Sequence, residues 1–471
     1  MRKSLLLKKC FLITGVTLAV LLLAVFIACE TPVEEHPELE PTPEVNLRRY
    51  MKRGVSYNFL FPRQNPVPRE DMELLSPGVR WFYNWSLNTT TQVEELAREF
   101  DLVFIPQRHN ERGGGGWPHG GVNGTIENLR GFIERNPETR WIMAHNEPML
   151  TNEANLTPME AAAAWPNIMT VASELDLKVL SPALTFGNIG SREGVEAWNT
   201  PNGWFDAFLE QPGVDLDDID IVRVHNYMGW INPLRDYIEG FRRYERPVWV
   251  TEFAAWGNPL QPTDEEWQMR FMSESVMYFE LEPLVEKYFW FIPKGGDINY
   301  TPRDNLRPPF NKLLTQDIPP RLTRLGVVYV YMPHININRQ NWIPAGQRMT
   351  AEHLTNANTT TSPNQFVHFR PTTDTAEGSA VLDIHNFSAN RWVEFQVEAS
   401  AGARSLTIRN TALQATVLDV YANDNFVTTV NLTQSDEWRT TEVPLTLSAS
   451  WYTIRLSVRS GDFALNWLRL N

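Results

Sequence analysis

The sequence predicts an α/β fold, a (β/α)8 barrel of the TIM type followed by an antiparallel β-sandwich. Three observations predict it. Between Lys52 and about Met332, short apolar runs alternate with amphipathic helical stretches, as parallel strands with crossover helices do. The apolar runs number eight. After about residue 340 the helical periodicity stops, and short β-rich runs separated by turn residues take over, the texture of a sandwich.

The eight runs, in order, are "RGVSYNF", "VRWFYNW", "LVFIPQR", "WIMAHNEP", "KVLSPAL", "IVRVHNYM", "VWVTEFAAW" and "YFWFIP". Helical patterns lie between them, such as "TQVEELAREF" and "TPMEAAAAWPNIMTVASEL". In the second, Thr157 and Glu160 have the spacing of a capping box. A doubly wound open sheet is the alternative, but no glycine fingerprint follows the first strand. The C-terminal runs are "WVEFQVEAS", "RSLTIRN", "TVLDVYAND", "FVTTVNL", "SWYTIRLSV" and "FALNWLRL", and the boundary is expected within "NINRQNWIPAG". The predicted organisation is a catalytic domain over 51–340 and a sandwich module over 341–471.

The N-terminus reads as an address. Basic residues precede an apolar run that ends at Ala28-Cys29, the plan of a bacterial secretory signal over 1–28. "FIAC" is similar to a lipobox, with Phe26 in place of the usual aliphatic residue, so Cys29 is the expected lipidation site. An uncleaved anchor helix is the alternative, because the apolar run is nearly long enough to span a bilayer. Either way the body is expected in the cell envelope, outside the cytoplasm and held to a membrane. An outer-membrane, surface-exposed position fits Glu30 after the cysteine. Residues 29–50 are rich in Pro and Glu and predict an extended tether with a reach on the order of 60 Å.

Hydrophobic residues make up 42% and charged residues 21% of the chain, ordinary values for a folded protein. The net charge is −14, and losing the four basic residues before Cys29 takes it to −18. That balance argues against a nucleic-acid partner. Both cysteines, Cys10 and Cys29, lie at the start, so the body holds neither disulfides nor a cysteine metal site. The 17 Trp supply flat apolar surfaces on which sugars stack, although Trp also fills cores.

Barrel chemistry comes from the C-terminal ends of the strands. Tyr83, Asn84 and Trp85 end the second strand, Asn146 and Glu147 the fourth, His225 and Tyr227 the sixth, Glu252 the seventh and Trp290 the eighth. A glutamate at a strand end is often only a solvated charge. Glu252, however, lies in a nearly wholly apolar run, where an unused charge is costly. Two carboxylates across one barrel mouth are what glycoside hydrolysis needs. Trp85 and Trp290 are candidate stacking platforms, with core packing as the alternative. Trp117, in the glycine-rich "RHNERGGGGWPHGG", is a candidate to close over a bound chain.

Taken together and in order, "RWFYNWS", "HNEPM", "VHNYMG", "VWVTEFAAW" and "YFWFI" resemble glycoside hydrolase family 128, the clan A endo-β-1,3-glucanases. The resemblance covers about residues 51–332. It implies Glu147 as general acid/base and Glu252 as nucleophile, in a retaining, double-displacement reaction without a cofactor. It implies that proximity to Glu252 raises the Glu147 pKa, while hydrogen bonds, Tyr227 being the expected donor, keep Glu252 ionised. It also implies that Asn146 holds the 2-hydroxyl, and that His225, Tyr83 and Asn84 belong to the substrate site. His145 and Asn226 depart from the family pattern and are expected to alter the substrate subtype.

"QRMTAEHLTNA" and "WYTIRLSVRSGDFALNWLRLN" resemble the ends of carbohydrate-binding module family 6. That resemblance implies glycan binding near Trp438, with Asn386 and Phe387 as further candidates, and a structural calcium with Glu352 as ligand. Ala464 stands where a ligand asparagine is common. The implied partner is a β-glucan polysaccharide. Two alternatives stay open, a clan A hydrolase for another β-glycan and a non-catalytic glycan-binding lipoprotein.

Overall fold

The computed structural model describes residues 51–59, 68–111, 121–186, 196–256, 264–294, 310–336, 342–359, 365–398, 405–447 and 451–471. The signal, Cys29, the tether and Trp117 lie outside the described residues.

The first part alternates strands and helices. Its strands are β1 (Arg53–Ser56), β2 (Trp81–Tyr83), β3 (Val103–Phe104), β4 (Trp141–Met143), β5 (Lys178–Leu180), β6 (Val222–Asn226), β7 (Val248–Phe253) and β8 (Val285–Phe291). The helices are α1 (Pro68–Leu75), α2 (Thr91–Glu99), α3 (Gly121–Arg135), α4 (Pro158–Leu175), α5 (Pro201–Leu209), α6 (Ile231–Glu239), α7 (Glu265–Leu281) and α8 (Arg324–Tyr331). Six strands form one sheet in the order β3-β2-β1-β8-β7-β6, and β4 pairs with β5. All these pairings are parallel. Isolated parallel bridges join Gln107 to Met143 and Leu180 to Ile221. These two bridges link the segment after β3 to β4 and the segment before β6 to β5.

Local chemistry sets the helix ends. The Thr157 hydroxyl accepts from Glu160 N at 3.2 Å, and the Glu160 carboxylate accepts from Thr157 N at 2.8 Å. This is the reciprocal box that the spacing predicts, and it satisfies two otherwise unpaired donors at the start of α4.

Alternate strand residues face inward. Trp81, Tyr83, Met143, Leu180, Ile221, Trp249 and Phe289 belong to one buried cluster. Near it the Lys287 ammonium lies 4.4 to 4.6 Å from the ring centres of Trp81, Trp141 and Trp249, a cation–π cage that offsets the cost of burying the charge.

The second part is a β-sandwich. Its strands are β9 (Ile343–Pro344), β10 (Met349–Thr350), β11 (Leu354–Ala357), β12 (His368–Pro371), β13 (Leu382–Ser388), β14 (Trp392–Glu398), β15 (Ser405–Ala412), β16 (Thr416–Ala422), β17 (Asn425–Leu432), β18 (Ser435–Pro444), β19 (Trp451–Ser460) and β20 (Asp462–Leu470). One sheet runs β12-β13-β20-β15-β18 with β10 on β20, the other β11-β14-β19-β16-β17 with β9 on β14. The two parts share a continuous apolar core. At their junction His368 Nε2 lies 3.0 Å from Glu274 Oε1, and Phe369 N donates to Ser273 Oγ at 3.0 Å.

Candidate active site

The ends of the parallel strands surround a cleft of about 800 Å³, within the usual range for a ligand site. Asn146, Glu147, His225, Tyr227 and Glu252 line it, with Trp85, Trp256 and Phe291 as aromatic walls.

Glu252 reaches the cleft through a bulge. Strict alternation along β7 from Trp249 and Thr251, both buried, would turn Glu252 outward. Against β6, however, Val224 pairs with Val250 and His225 with Glu252; against β8, Val250 pairs with Tyr288 and Phe253 with Trp290. Both neighbours therefore see one extra residue on β7. A bulge re-aims a side chain in this way, and bulges concentrate beside active sites. The turned-in carboxylate accepts hydrogen bonds from Tyr83 Oη at 2.8 Å, Trp85 Nε1 at 2.8 Å and Tyr227 Oη at 2.5 Å.

Glu147 follows β4 with a φ of 41°, a left-handed conformation that a non-glycine residue rarely takes and that marks functional turns. It is 7% exposed. Burial pushes its pKa up to about 7, and the Arg223 charge works against that rise. The expectation that proximity to Glu252 drives the shift is corrected, because desolvation of the buried carboxyl is the cause. His225 Nδ1 lies 2.7 Å from Glu147 Oε1 and 3.4 Å from Glu252 Oε2. Oxygens of the two carboxyls lie within 4.8 Å of each other. Burial lowers the His225 pKa to about 3, so the ring is neutral at working pH.

Asn146 is buried at the cleft. Its Oδ1 accepts from Arg223 Nη2 at 3.1 Å, and its Nδ2 donates to Glu153 Oε2 at 3.3 Å.

Several expected site residues stand elsewhere. Trp290 is fully buried, donates its indole N–H to Asn311 O at 2.8 Å and packs edge-on against Phe253. It is a core residue and not a stacking platform. The reason is the period of two: Phe289 faces the interior, so Phe291 does as well and Trp290 turns to the helices. Asn84 is not at the cleft either, since its amide binds Asn88 O and Ser86 N and so ties its own loop. His145 is fully buried, and its Nε2 lies 2.9 Å from Glu111 Oε1. It does not reach the mouth, whereas Asn226 does line the cleft.

In the sandwich, the half-buried Trp438 donates its indole N–H to Thr373 Oγ1 at 3.1 Å. Asn386 and Ala464 share a small cavity of about 140 Å³. Phe387 is buried and stacks on Phe463, which makes it core. Glu352 is exposed and accepts from the Thr350 hydroxyl at 3.0 Å. Among the described residues, the group of three or more acidic or histidine side chains that could share an ion is Glu147, His225 and Glu252.

Two groups that line the cleft, Glu153 and His109, and one buried beside it, Arg223, were not foreseen from the sequence. Arg223 had a signal, a charge in the middle of the apolar run "IVRVHNYM" and on the same face as His225. Glu153 and His109 sit on irregular segments and had none. Burial, then the Glu147 and Glu252 charges, push the Glu153 pKa up to about 7.

A model of the glycosyl hydrolase catalytic core matches residues 54–329, more than half of the chain. The chain belongs to this family. Alkali-sensitive linkage protein 1 of Schizosaccharomyces pombe (strain 972 / ATCC 24843) is 24% identical to the hydrolase over 251 residues, 51% of this chain and 39% of that protein. The hydrolase thus spans well under half the length of that relative. Two solved structures are similar to it. One is a GH128 (subgroup II) endo-β-1,3-glucanase from Sorangium cellulosum, 26% identical with a TM-score of 0.48, over 60% of this chain and 99% of that one. The other, of the same subgroup and from Pseudomonas viridiflava, is 29% identical with a TM-score of 0.48, over 60% and 98%.

The placement of Trp290 and Phe291 leads to an expected result. Trp290→Ala lowers unfolding stability by about 3–5 kcal/mol in guanidinium titration, the range for emptying a large core site. Phe291→Ala costs much less stability and raises KM instead. Equal destabilisation by the two changes would contradict the assignment of Trp290 to the core.

Proposed function

We propose that this hydrolase is a retaining endo-β-1,3-glucanase of glycoside hydrolase family 128, with its eight strands closed into a (β/α)8 barrel. The observation that carries the mechanism is the approach of Glu147 and Glu252 oxygens to within 4.8 Å. Carboxyls about 5–5.5 Å apart serve retaining hydrolysis, and a separation of roughly 6.5–9.5 Å is needed to seat the water of an inverting reaction.

The chemistry then follows from the residues present. Glu252, oriented by Tyr83, Trp85 and Tyr227, attacks the anomeric carbon. Glu147 gives its proton to the leaving glycosidic oxygen. Glu147, now a carboxylate, takes a proton from water, which attacks the glycosyl–Glu252 ester and releases the sugar. The reaction draws on no cofactor. The β-1,3 linkage rests on the ordered motif set. Asn226 supports a second reading, a different β-glycan, because it lines the cleft at a position where the family pattern differs, and its buried Nδ2 has no hydrogen-bond partner among the described residues.

The proposed placement is outside the cytoplasm, tethered through lipid at Cys29 and residues 29–50, with residues 341–471 as a glycan-binding module. A tether and a binding module both raise the effective concentration of enzyme on polymer. A calcium ion at Glu352 belongs to the same reading of that module and takes no part in the reaction. The test is incubation of the soluble body with β-1,3-, β-1,4- and mixed-linkage glucans, xylan and galactan. Oligosaccharide release from β-1,3-glucan is expected. Release from another polymer alone would replace the substrate, and release from none would end the reading as an enzyme.

A further inference from the structure

Arg223 is a cation with no part in the proposed reaction. It is the second residue of β6, is fully buried, and feels the charges of both Glu252 and Glu147. Its Nε donates to Thr251 Oγ1 at 2.8 Å, its Nη1 to Ala144 O at 3.2 Å, and its Nη2 to Asn146 Oδ1 at 3.1 Å. With the Gln107 amide turned so that its oxygen faces the guanidinium, that oxygen accepts from Nη1 at 2.9 Å. The same Nη2 comes within 3.4 Å of His225 Nε2, and Thr251 Oγ1 comes within 3.0 Å of it.

A neutral imidazole has one N–H and one lone pair, and the neighbours of one nitrogen decide the other. A proton on Nε2 would point toward a guanidinium that can only donate. A proton on Nδ1 points between two carboxyls, at 2.7 Å from Glu147 Oε1 and 3.4 Å from Glu252 Oε2. We infer that Arg223 and Thr251 are positioning residues that hold His225 as the Nδ1–H tautomer, so that its N–H occupies Glu147 Oε1 and the acid proton resides on Glu147 Oε2. The competing arrangement places the acid proton on Oε1, donates it to Nδ1, and leaves Nε2–H to donate to Thr251 Oγ1.

The inference rests on the proposed reaction for the identity of the acid. In its first step, the Oε2–H bond breaks and the proton goes to the glycosidic oxygen as the bond from the anomeric carbon to that oxygen breaks. Oε2 keeps the electron pair. The new carboxylate finds a donor already in place at Oε1, so no side chain has to reorient when the charge appears. Such preorganisation lowers the barrier. The inference also accounts for how two carboxyls share one buried site, since the single N–H of His225 bridges them.

The test reads the tautomer directly. In enzyme carrying ¹⁵N-labelled histidine, His225 is assigned by its loss in His225→Asn, and the two-bond ¹H–¹⁵N pattern shows which nitrogen is protonated. The expected result is Nδ1–H in the native enzyme, with Nε2–H predominating in Arg223→Met and Thr251→Val. Thr251→Val removes only a hydroxyl and keeps the shape, so it carries the test if Arg223→Met fails to fold. In Thr251→Val, kcat/KM on β-1,3-glucan is expected to fall roughly 10²-fold, the scale of general acid catalysis. On a dinitrophenyl β-glycoside, whose leaving group needs no proton, it falls no more than a few-fold. Native His225 in the Nε2–H form would overturn the inference, and so would equal losses on the two substrates. Nδ1–H in an enzyme that releases sugar from no polymer would instead overturn the proposed function and leave the tautomer standing.

Discussion

Glu252→Ala is expected to lower kcat on β-1,3-glucan by roughly 10⁴-fold or more, because in the proposed reaction Glu252 is the group that forms the covalent intermediate. Binding of a laminari-oligosaccharide should persist, since the aromatic walls of the cleft are untouched. Azide makes the assignment specific. In Glu252→Ala, azide occupies the vacated space, attacks an activated aryl β-glycoside from that side and yields the α-glycosyl azide. In Glu147→Ala, Glu252 still forms the glycosyl ester, and azide then displaces it to yield the β-glycosyl azide. The two products have opposite anomeric configuration, and NMR distinguishes them. The same anomer from both variants would show that the roles have been misassigned, and substantial residual turnover in Glu252→Ala would remove it as nucleophile.

The second large effect is on pH. Burial holds the Glu147 pKa up to about 7, and the first step of the proposed reaction needs its proton. The kcat/KM profile is therefore expected to fall above about pH 7. Glu153 titrates in the same range, so the assignment requires the fall to survive in Glu153→Gln. Stability follows the same carboxyl. Its folded value lies above the ordinary 4.5, so the folded state binds the proton more tightly than the unfolded state does. The corresponding stability is fully present below about pH 4.5 and is lost as pH rises through about 7. Glu147→Gln carries no proton to lose. It is expected to be more stable than the native enzyme at pH 8, by at most about 3 kcal/mol at 1.36 kcal/mol per pKa unit, and equal to it near pH 4. Thermal unfolding of both proteins across that range checks the sign. A variant less stable than the native protein at pH 8 would show that Glu147 is not an ionised burden there.

Much of this site was legible because its signals are local. The capping box at Thr157 and Glu160 forms from neighbours in sequence. Asn146 and Glu147 follow a short apolar strand, and Tyr227 stands two residues after His225, so each could be placed at a strand end from spacing alone. What stayed hidden depends on partners far along the chain. His145 looked like a mouth residue because it sits beside Asn146, but Glu111, on another loop, draws it inward. Asn84 looked like a substrate ligand, and its amide closes its own turn instead. Arg223 was visible as a charge in an apolar strand. That it touches Asn146, Thr251 and His225 together depends on three strands being side by side.

The sequence by itself determined the alternation of strands and helices, the change to β-rich texture after the last helix, and the strand ends that carry the two glutamates. These follow from hydrophobic period and composition, which a linear chain displays. Only the tertiary structure decided which side of each strand faces the cleft. The side-chain period in a strand is two, so a register one residue different exchanges inside and outside. Strand pairing placed Phe291 rather than Trp290 at the cleft. The bulge in β7, which exists only relative to β6 and β8, turned Glu252 inward beside Thr251 and brought its carboxylate to Glu147.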